Sequence, residues 1–446
     1  MKFSAWANVA CLSIACVVSS ATAQDFSGPV ERRPPDKRPT AEEIAHPPKT
    51  WIDKDTGHRV TRLTDEPGSA SFYFNVNAFT PDGHEMVYTT PNGVNVLDLR
   101  TLKTRVVLKE RVHTLEVGHK TPRIFYVKEP EHAVYSTNVD TGETRKLGVI
   151  PPRGSLVTIN ADETLAAGTF DEQDRPNEQY GHNGPRGHSK ADGASTTQTS
   201  PMDQPRNKGE MMERRLAARI PLVLYTLNLE TGKVTELLHS TDWVNHLLFS
   251  PSDPKLLMYC HEGPWHKVDR IWTIHTDGTH NELMHKRTMV MEIAGHEFWG
   301  RRGDTVYYDL QTPRGEDFWL ASLNLSTGQR NWYHMDRNEW SIHFNVNEQA
   351  GLFAGDGGDP RQVAHAPEGE WLYLFRPEKI SSPGAINEKG FVQPYVFHAE
   401  KLVNMSKHNY TLEPNVMFTP DAKMIIFRSN MFGPTYVFGV EVDKSK

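Results

Sequence analysis

An all-β fold, a seven-bladed β-propeller, is predicted by three features of the 446-residue sequence. Short β-rich runs alternate with turn signals, the runs recur about every 45 residues, and a lone early strand can complete a shortened last repeat. The first feature begins at Trp51. Beyond it, few stretches carry the 3.6-residue period of a helix, and Pro, Gly, Asp and Asn clusters punctuate the chain. A pair of β-sandwiches is the rival architecture; the regular repeat favours the propeller.

Each repeat reads as two hairpins. "FNVNAFTPDGHEMVYTT" is strand, Pro-Asp-Gly turn, strand, and "GVNVLDLRTLKTRVVL" is the second hairpin. The pattern returns in "RIFYVKEPEHAVYSTNVDTGETRKL", in "VTINADETLAAGTF" with "LVLYTLNLETGKVTELL", and in "NHLLFSPSDPKLLMYC" with "RIWTIHTDGTHNELM". It returns again in "HEFWGRRGDTVYYDL" with "DFWLASLNLSTGQRNWY", and further units begin near Ile342 and Leu412. The seven first strands start near residues 74, 115, 157, 246, 296, 342 and 412. The last unit, "NVMFTPDAKMIIFRSN" plus "TYVFGVEV", has three strands, and "TGHRVTRLTD" at 56–65 is an orphan. Pairing the two closes the ring and removes a sheet edge that would otherwise stay open.

Around this single domain, 51–446, lie segments of other character. Residues 1–23 have the form of a secretory signal: Lys2, the apolar run "VACLSIACVV", and Ala21-Thr22-Ala23 as a cleavage site. A lipoprotein reading through Cys16 meets Ser13 where a larger aliphatic residue is usual. The expected location is therefore the periplasm or the exterior, with cleavage after Ala23 and no membrane span, because the apolar run is too short. Residues 24–50 read as an exposed, extended lead-in rich in Pro and charge. An insert at 171–217 interrupts the third unit between its second and third strands, and "EMMERRLAARI" within it has the composition of a short helix. At that length it is a lid or a disordered insert.

Composition narrows the function. Loss of Lys2, the one charge before Gln24, takes the net charge from −7 to −8. A nucleic-acid partner, which needs a basic stripe, is not expected. Of three cysteines only Cys260 lies beyond the signal, so no intramolecular disulfide can form and the core must hold the fold. Dinucleotide, P-loop and Gly-x-Ser-x-Gly motifs are absent.

"YCHEGPWHKVDRIW" (259–272) gathers titratable and aromatic groups beyond what a surface hairpin needs. In a propeller, first strands start at the central channel, and the connection from second to third strand opens on the same face. This places Asn75, His246, His296, His343, Glu413 and Asn415 at one channel mouth. The loops "CHEGPWHKVD", "QTPRGED", "GDGGDP" and "RSNMFGP" surround it. A lone histidine at a strand start is commonly a hydrogen-bonded structural residue; three on consecutive units beside Glu413 point to a divalent metal or an acid/base pair. Trp243, Trp265, Trp299 and Trp340 sit near these histidines, as core or as platforms for sugar rings. "GDGGDP" reads as a tight turn in preference to a calcium loop, and Cys260 as a small buried residue.

The stretches "RVTRLTDEPG…SFYFNVNAFTPDG", "NHLLFSPSDPKLLMYCHEGPWHKVDRIW", "GHEFWGRRGDTVYYD" and "NVMFTPDAKMIIFRSNMFG" resemble the oligogalacturonate lyase family. The resemblance runs from about Trp51 to Val442. It implies a seven-bladed propeller that cleaves short uronic-acid oligosaccharides by β-elimination, with manganese at the site. It implies His296 as a metal ligand, His246 as general base with His261 as second choice, and Arg219 as the arginine that grips substrate. Trp265, His266, Arg270 and Tyr410 are the further substrate-binding candidates. The family's Gln-x-x-His-x-His run is replaced by "YTLEPNVMFTP", which offers Tyr410, Glu413 and Asn415 and leaves a metal set of His296, His343, Glu413 and Asn415. Three alternatives stay open. They are a lyase on another uronate such as ulvan or a glucuronate-containing glycan, a glycoside hydrolase using Glu262, Glu297 or Glu413, and a non-catalytic periplasmic binding propeller.

Overall fold

In the computed structural model the described residues are 37–173, 207–382 and 390–444. Strands dominate, and sheets follow one another along the chain. His113–Val117, Arg123–Lys128, Ala133–Asn138 and Thr144–Val149 form one antiparallel four-stranded sheet in chain order. Gly154–Ile159, Leu165–Asp171, Leu222–Asn228 and Val234–Ser240 form the next, and Trp243–Phe249, Leu256–Glu262, Ile271–His275 and Glu282–Leu283 a third. The fold is all-β and propeller-like.

The sequence's turn chemistry explains the outer hairpins. In Asn-x-x-Thr-Gly segments, Asn138 Oδ1 accepts from the backbone N–H of Asp140 and Thr141, each at 2.9 Å. Asn228 does the same with Glu230 and Thr231. The glycines that follow, Gly142 and Gly232, sit at φ 73° and 71°, a left-handed conformation that a side chain would strain. Burial grades outward. Leu222–Asn228 is almost wholly buried, whereas its outer neighbour Val234–Ser240 is half-buried to exposed throughout. One face of each inner strand therefore packs on the adjoining sheet, and apolar contact between sheets holds the repeats together.

His58–Arg62 pairs antiparallel with Tyr436–Lys444, and Thr50–Ile52 adds outside it. The orphan strand thus joins the C-terminal sheet, Met417–Phe418, Met424–Ser429 and Tyr436–Lys444, as its pattern predicts.

Several details differ from the sequence reading. The run near residue 74 is not a regular strand; bridges Ala70–Thr89 and Phe79–Met86 stand in for it beside Glu85–Thr90. Asn77 diverts the local backbone, bonding Phe79 O, Phe79 N and Val117 O. The fifth and sixth sheets merge. Ile293–Trp299 to Arg330–Met335 and Phe344–Asn347 to Val392–Asn404 form one eight-stranded sheet, because Arg330–Met335 pairs parallel with the long strand Val392–Asn404. That extension covers an outer edge that would otherwise stay unpaired. The lead-in is partly docked. Thr40 and Glu43 form a capping box on the helix Ala41–Ala45, and Lys407 reaches Glu43 at 2.6 Å. Residues 1–36 and 174–206, which hold the signal and most of the insert, lie outside the described residues. The insert's far end is the predicted helix, Lys208–Ala218, with Asn207 accepting from Glu210 N at its start. Among the described residues, no helix is long and apolar enough to cross a membrane.

Candidate active site

The two histidines expected to carry chemistry occupy the same local device. His246 sits at a register shift between Asn245 and Leu248, and His296 at one between Gly295 and Phe298. Their φ angles are 48° and 49°. Left-handed non-glycine residues in a β-bulge are costly and re-aim a side chain out of the alternating pattern of a strand. Asn415 sits three residues before the Phe-Thr-Pro of the last unit, as His246 sits three before Phe249-Ser250-Pro251, and has φ 55°.

From His246 a continuous series of contacts crosses to Glu413. His246 Nε2 lies 3.1 Å from Glu262 Oε2, and Arg270 Nη1 donates to Glu262 Oε1 at 3.1 Å. Arg270 packs over Trp265, 4.8 Å from guanidinium carbon to ring centre. Trp265 meets His296 edge-on at 5.1 Å, and His296 meets His343 at 5.2 Å between ring centres. His343 Nε2 lies 4.0 Å from Glu413 Oε2. His246, His296 and Glu413 therefore lie along one line of contacts, although two come from different sheets and the third from the loop before Met417–Phe418.

Electrostatics distinguish the members. Burial pushes the Glu262 carboxyl up, but the Arg270 charge and His246 outweigh it and hold the group well below the usual carboxylate range. Burial pushes His296 down, against the pull of Asp309, whose Oδ2 is 3.7 Å from Nδ1. Glu297, beside it, is buried with both carboxylate oxygens lacking a hydrogen-bond partner.

His261 is adjacent to Glu262 on Leu256–Glu262, so its side chain leaves the strand on the other face. Its Nε2 lies 3.5 Å from Asp242, to which Arg219 is also salt-bridged. Burial lowers His261, with Asp242 opposing and Arg270 and Arg219 reinforcing. Arg219 belongs to this rim group through its salt bridge to Asp242. The helix Lys208–Ala218 lies over both aromatic walls: Lys208 is 5.7 Å from the Trp265 ring and Arg215 is 4.2 Å from that of Trp243. Burial also lowers the half-buried His266, whose carbonyl accepts from Arg287.

Six residues weighed for the site are committed elsewhere. Tyr410 is 2% exposed and its hydroxyl donates to Asp356 O at 3.2 Å, so it is core and cannot touch a substrate. Arg270 is buried and committed to Glu262, which makes it a supporting charge in place of a substrate-gripping one. Trp299 and Trp340 are likewise core, their indole N–H groups donating to Leu248 O and Asp309. As for the four candidate metal ligands, Asn415 is spent: its Oδ1 accepts from Phe74 N, and its Nδ2 donates to Glu413 O. His343 is spent too, with Nδ1 bonded to Asp356 at 2.9 Å and Nε2 to Tyr73 at 3.0 Å. Among the described residues no three His, Cys, Asp or Glu side chains are grouped to hold a metal. The strong donors left are His296 and Glu413, and two do not fit a manganese site, which takes a larger nitrogen and oxygen set.

The partners of these histidines were missed by sequence reasoning. Glu262 was weighed only as a hydrolase carboxylate. Tyr73, Asp242, Asp309 and Asp356 were not singled out. Asp356 of "GDGGDP" is the fully buried partner of His343. No local signal marks Tyr73, whose partner is 270 residues away.

The geometry can be compared with known proteins. The family model described as oligogalacturonate lyase matches residues 218–446. An oligogalacturonate lyase of Dickeya dadantii (strain 3937) is 25% identical over 235 residues, which is 50% of this chain and 56% of that protein. An oligogalacturonide lyase of Pectobacterium atrosepticum is 26% identical over 239 residues, again 50% and 56%. The chain thus spans little more than half the length of these relatives. In fold it is similar to a solved oligogalacturonate lyase in complex with manganese. That match has TM-score 0.67 and 21% identity, and covers 89% of this chain and 96% of that one. It is also similar to the oligogalacturonate lyase structure from Vibrio parahaemolyticus, with TM-score 0.66, 20% identity and the same two coverages.

Proposed function

The chain belongs to the oligogalacturonate lyase family, and from that premise we propose that it cleaves short uronic-acid oligosaccharides by β-elimination, giving 4,5-unsaturated products. The observation that carries this reading is the convergence of His246, His296 and Glu413 along one line of contacts.

The C5 proton of a uronate is weakly acidic because the neighbouring carboxylate is already negative. Elimination needs a base and a positive charge on that carboxylate. His246 is the base. The ionised Glu262 accepts Nε2–H and so selects the tautomer whose Nδ1 lone pair takes the proton. Arg219, more than half exposed on the rim, grips the carboxylate. Trp265 and His266 line the approach, and Lys208 adds positive charge above it. His261 is the second candidate base. Manganese, present in one relative's structure, would meet only His296 and Glu413 here, and no step is assigned to it.

We also read the sheets as a closed seven-bladed ring, locked where His58–Arg62 pairs with Tyr436–Lys444. The chain is exported, with its signal removed after Ala23. The altered "YTLEPN" stretch supports testing other uronates beside galacturonate. A hydrolase is disfavoured because Glu262 is tied to Arg270 and Glu297 is buried.

The test is a panel of uronic-acid oligomers, with and without chelator, followed by the absorbance of the unsaturated product. His246→Ala should cut the rate by about 100-fold or more with unfolding unchanged. Full activity in that variant would move the base to His261, and loss of rate on chelation would return a metal to His296 and Glu413. Absence of product from every uronate would leave a non-catalytic binding propeller.

A further inference from the structure

We propose that Arg428 sets substrate specificity by binding the carboxylate of the uronate that departs, the neighbour of the one that loses its C5 proton. This deepens the lyase reading above and rests on it.

Arg428 lies on Met424–Ser429, the second strand of the last unit. It stands as far beyond Phe418 as Asp309, the neighbour of His296, stands beyond Trp299. One position thus holds a carboxylate in one unit and a guanidinium in another. Two bonds fix the arginine. Its backbone N–H donates to Pro414 O at 2.9 Å, and its Nε donates to Glu413 O at 2.8 Å. Glu413 O also accepts from Asn415 Nδ2 at 3.0 Å, which ties the guanidinium to the left-handed bend at Asn415. The outer nitrogens, Nη1 and Nη2, have no hydrogen bond or salt bridge among the described residues, and neither is sealed from solvent.

The neighbours leave that edge of the fork open. The carboxylates of Glu413 and Asp356 act on the charge from a distance, but Asp356 is taken by His343, and Glu413 lies 4.0 Å from His343 Nε2. Burial pulls the Arg428 pKa down, and Glu413, Tyr73 and Asp356 only partly oppose it. An arginine stays charged all the same. Arg123, Arg270 and Arg287 are also largely buried, and each meets a carboxylate, at 3.3, 3.1 and 3.2 Å. A desolvated guanidinium without that partner costs stability, and a planar carboxylate arriving with a ligand satisfies it through two parallel bonds.

Position says which carboxylate. Every residue of a uronate oligomer carries one on C5. Arg219 shares Asp242 with His261, and His261 adjoins Glu262, the partner of His246. The base and the rim arginine thus belong to one end of the site. Arg428 belongs with Glu413 to the other end, beyond Trp265, His296 and His343. A sugar that presents C5 to His246 keeps its own carboxylate on the Arg219 side. The sugar across the scissile bond brings a second carboxylate to Arg428. A neutral sugar in that place leaves the guanidinium without an anion.

The test compares two disaccharides that end in the same reducing galacturonate, the residue that becomes unsaturated. One is digalacturonate, and the other has galactose as its non-reducing sugar. The parent should favour digalacturonate by about 10- to 100-fold in kcat/KM, the worth of a charged hydrogen-bonded contact. Arg428→Gln should raise KM for digalacturonate by about that factor with kcat within about threefold, and should erase the preference. Arg428→Lys, which keeps the charge without the fork, should recover part of the loss. Where the galactose compound turns over too slowly to follow, its inhibition constant against digalacturonate is compared instead, and Arg428→Gln should leave it unchanged. Calorimetry gives a second readout: with no carboxylate paired to the charge, Arg428→Gln should melt no lower than the parent. Equal losses on both compounds, a parent that does not distinguish them, or a lowered Tm in Arg428→Gln overturns the proposal. If the parent yields no unsaturated product from digalacturonate, the lyase reading itself fails and takes this one with it.

Discussion

Removing the charge of Glu262 tests the buried pillar of the site. Its Oε1 is 3.1 Å from Arg270 Nη1, and the side chains are 3% and 2% exposed. At that separation an effective dielectric of about 20 gives an attraction of roughly 5 kcal/mol. Glu262→Gln removes the one carboxylate hydrogen-bonded to the buried guanidinium among the described residues, and breaking such a pair costs about 3–5 kcal/mol. For about 400 ordered residues the unfolding entropy is about 0.8 kcal/mol per degree, so Tm should fall by roughly 5 °C. Arg270→Met should cost a similar amount. The double variant, with both charges gone and the volume kept, should cost no more than either single change, a coupling of about 3 kcal/mol or more. Scanning calorimetry of the four proteins at neutral pH measures this. If the two single losses add within about 0.5 kcal/mol, the charges do not depend on each other and the account of how His246 is held falls.

Two other outcomes follow from packing and charge elsewhere. Glu292 accepts from His285 at 2.6 Å and from the N–H groups of Thr288 and Met289; although burial opposes it, these bonds bring its pKa down to about 2. A carboxyl with a lowered folded pKa contributes stability above its unfolded pKa and loses it as pH falls between about 4.5 and 2. Glu292→Gln should therefore cost up to about 3 kcal/mol at pH 7, with the difference from the parent vanishing near pH 2 in denaturant titrations. Gly168 faces Gly154–Ile159 so closely that an added Cβ would lie 1.7 Å from Ser155 O, a backbone atom that cannot swing away. Gly168→Ala should abolish soluble expression or lower Tm by more than the Glu262 change; a normal melting curve would show that the two strands can separate at low cost.

Much of this protein was legible along the chain because its rules are local. The alternation of apolar residues, the Asn-x-x-Thr-Gly turns and the recurring histidine before an aromatic-rich strand repeat within one sheet, and each depends on neighbours a few residues away. They determined the β repeats, the orphan strand that joins the C-terminal sheet, and the helix at the end of the insert. The channel-mouth rule places His246, His296 and Glu413 on one face from the sequence alone.

What the sequence could not determine was which groups those side chains use up. Asn415 reads as a metal ligand until Phe74 N and Glu413 O take its amide, and Tyr410 as a substrate contact until Asp356 O takes its hydroxyl. His343 reads as a ligand until Asp356 and Tyr73 claim both nitrogens. The physical reason is that a buried polar atom must find a partner. In this fold that partner comes from an adjoining sheet, whose position depends on how the sheets pack and on no spacing along the chain.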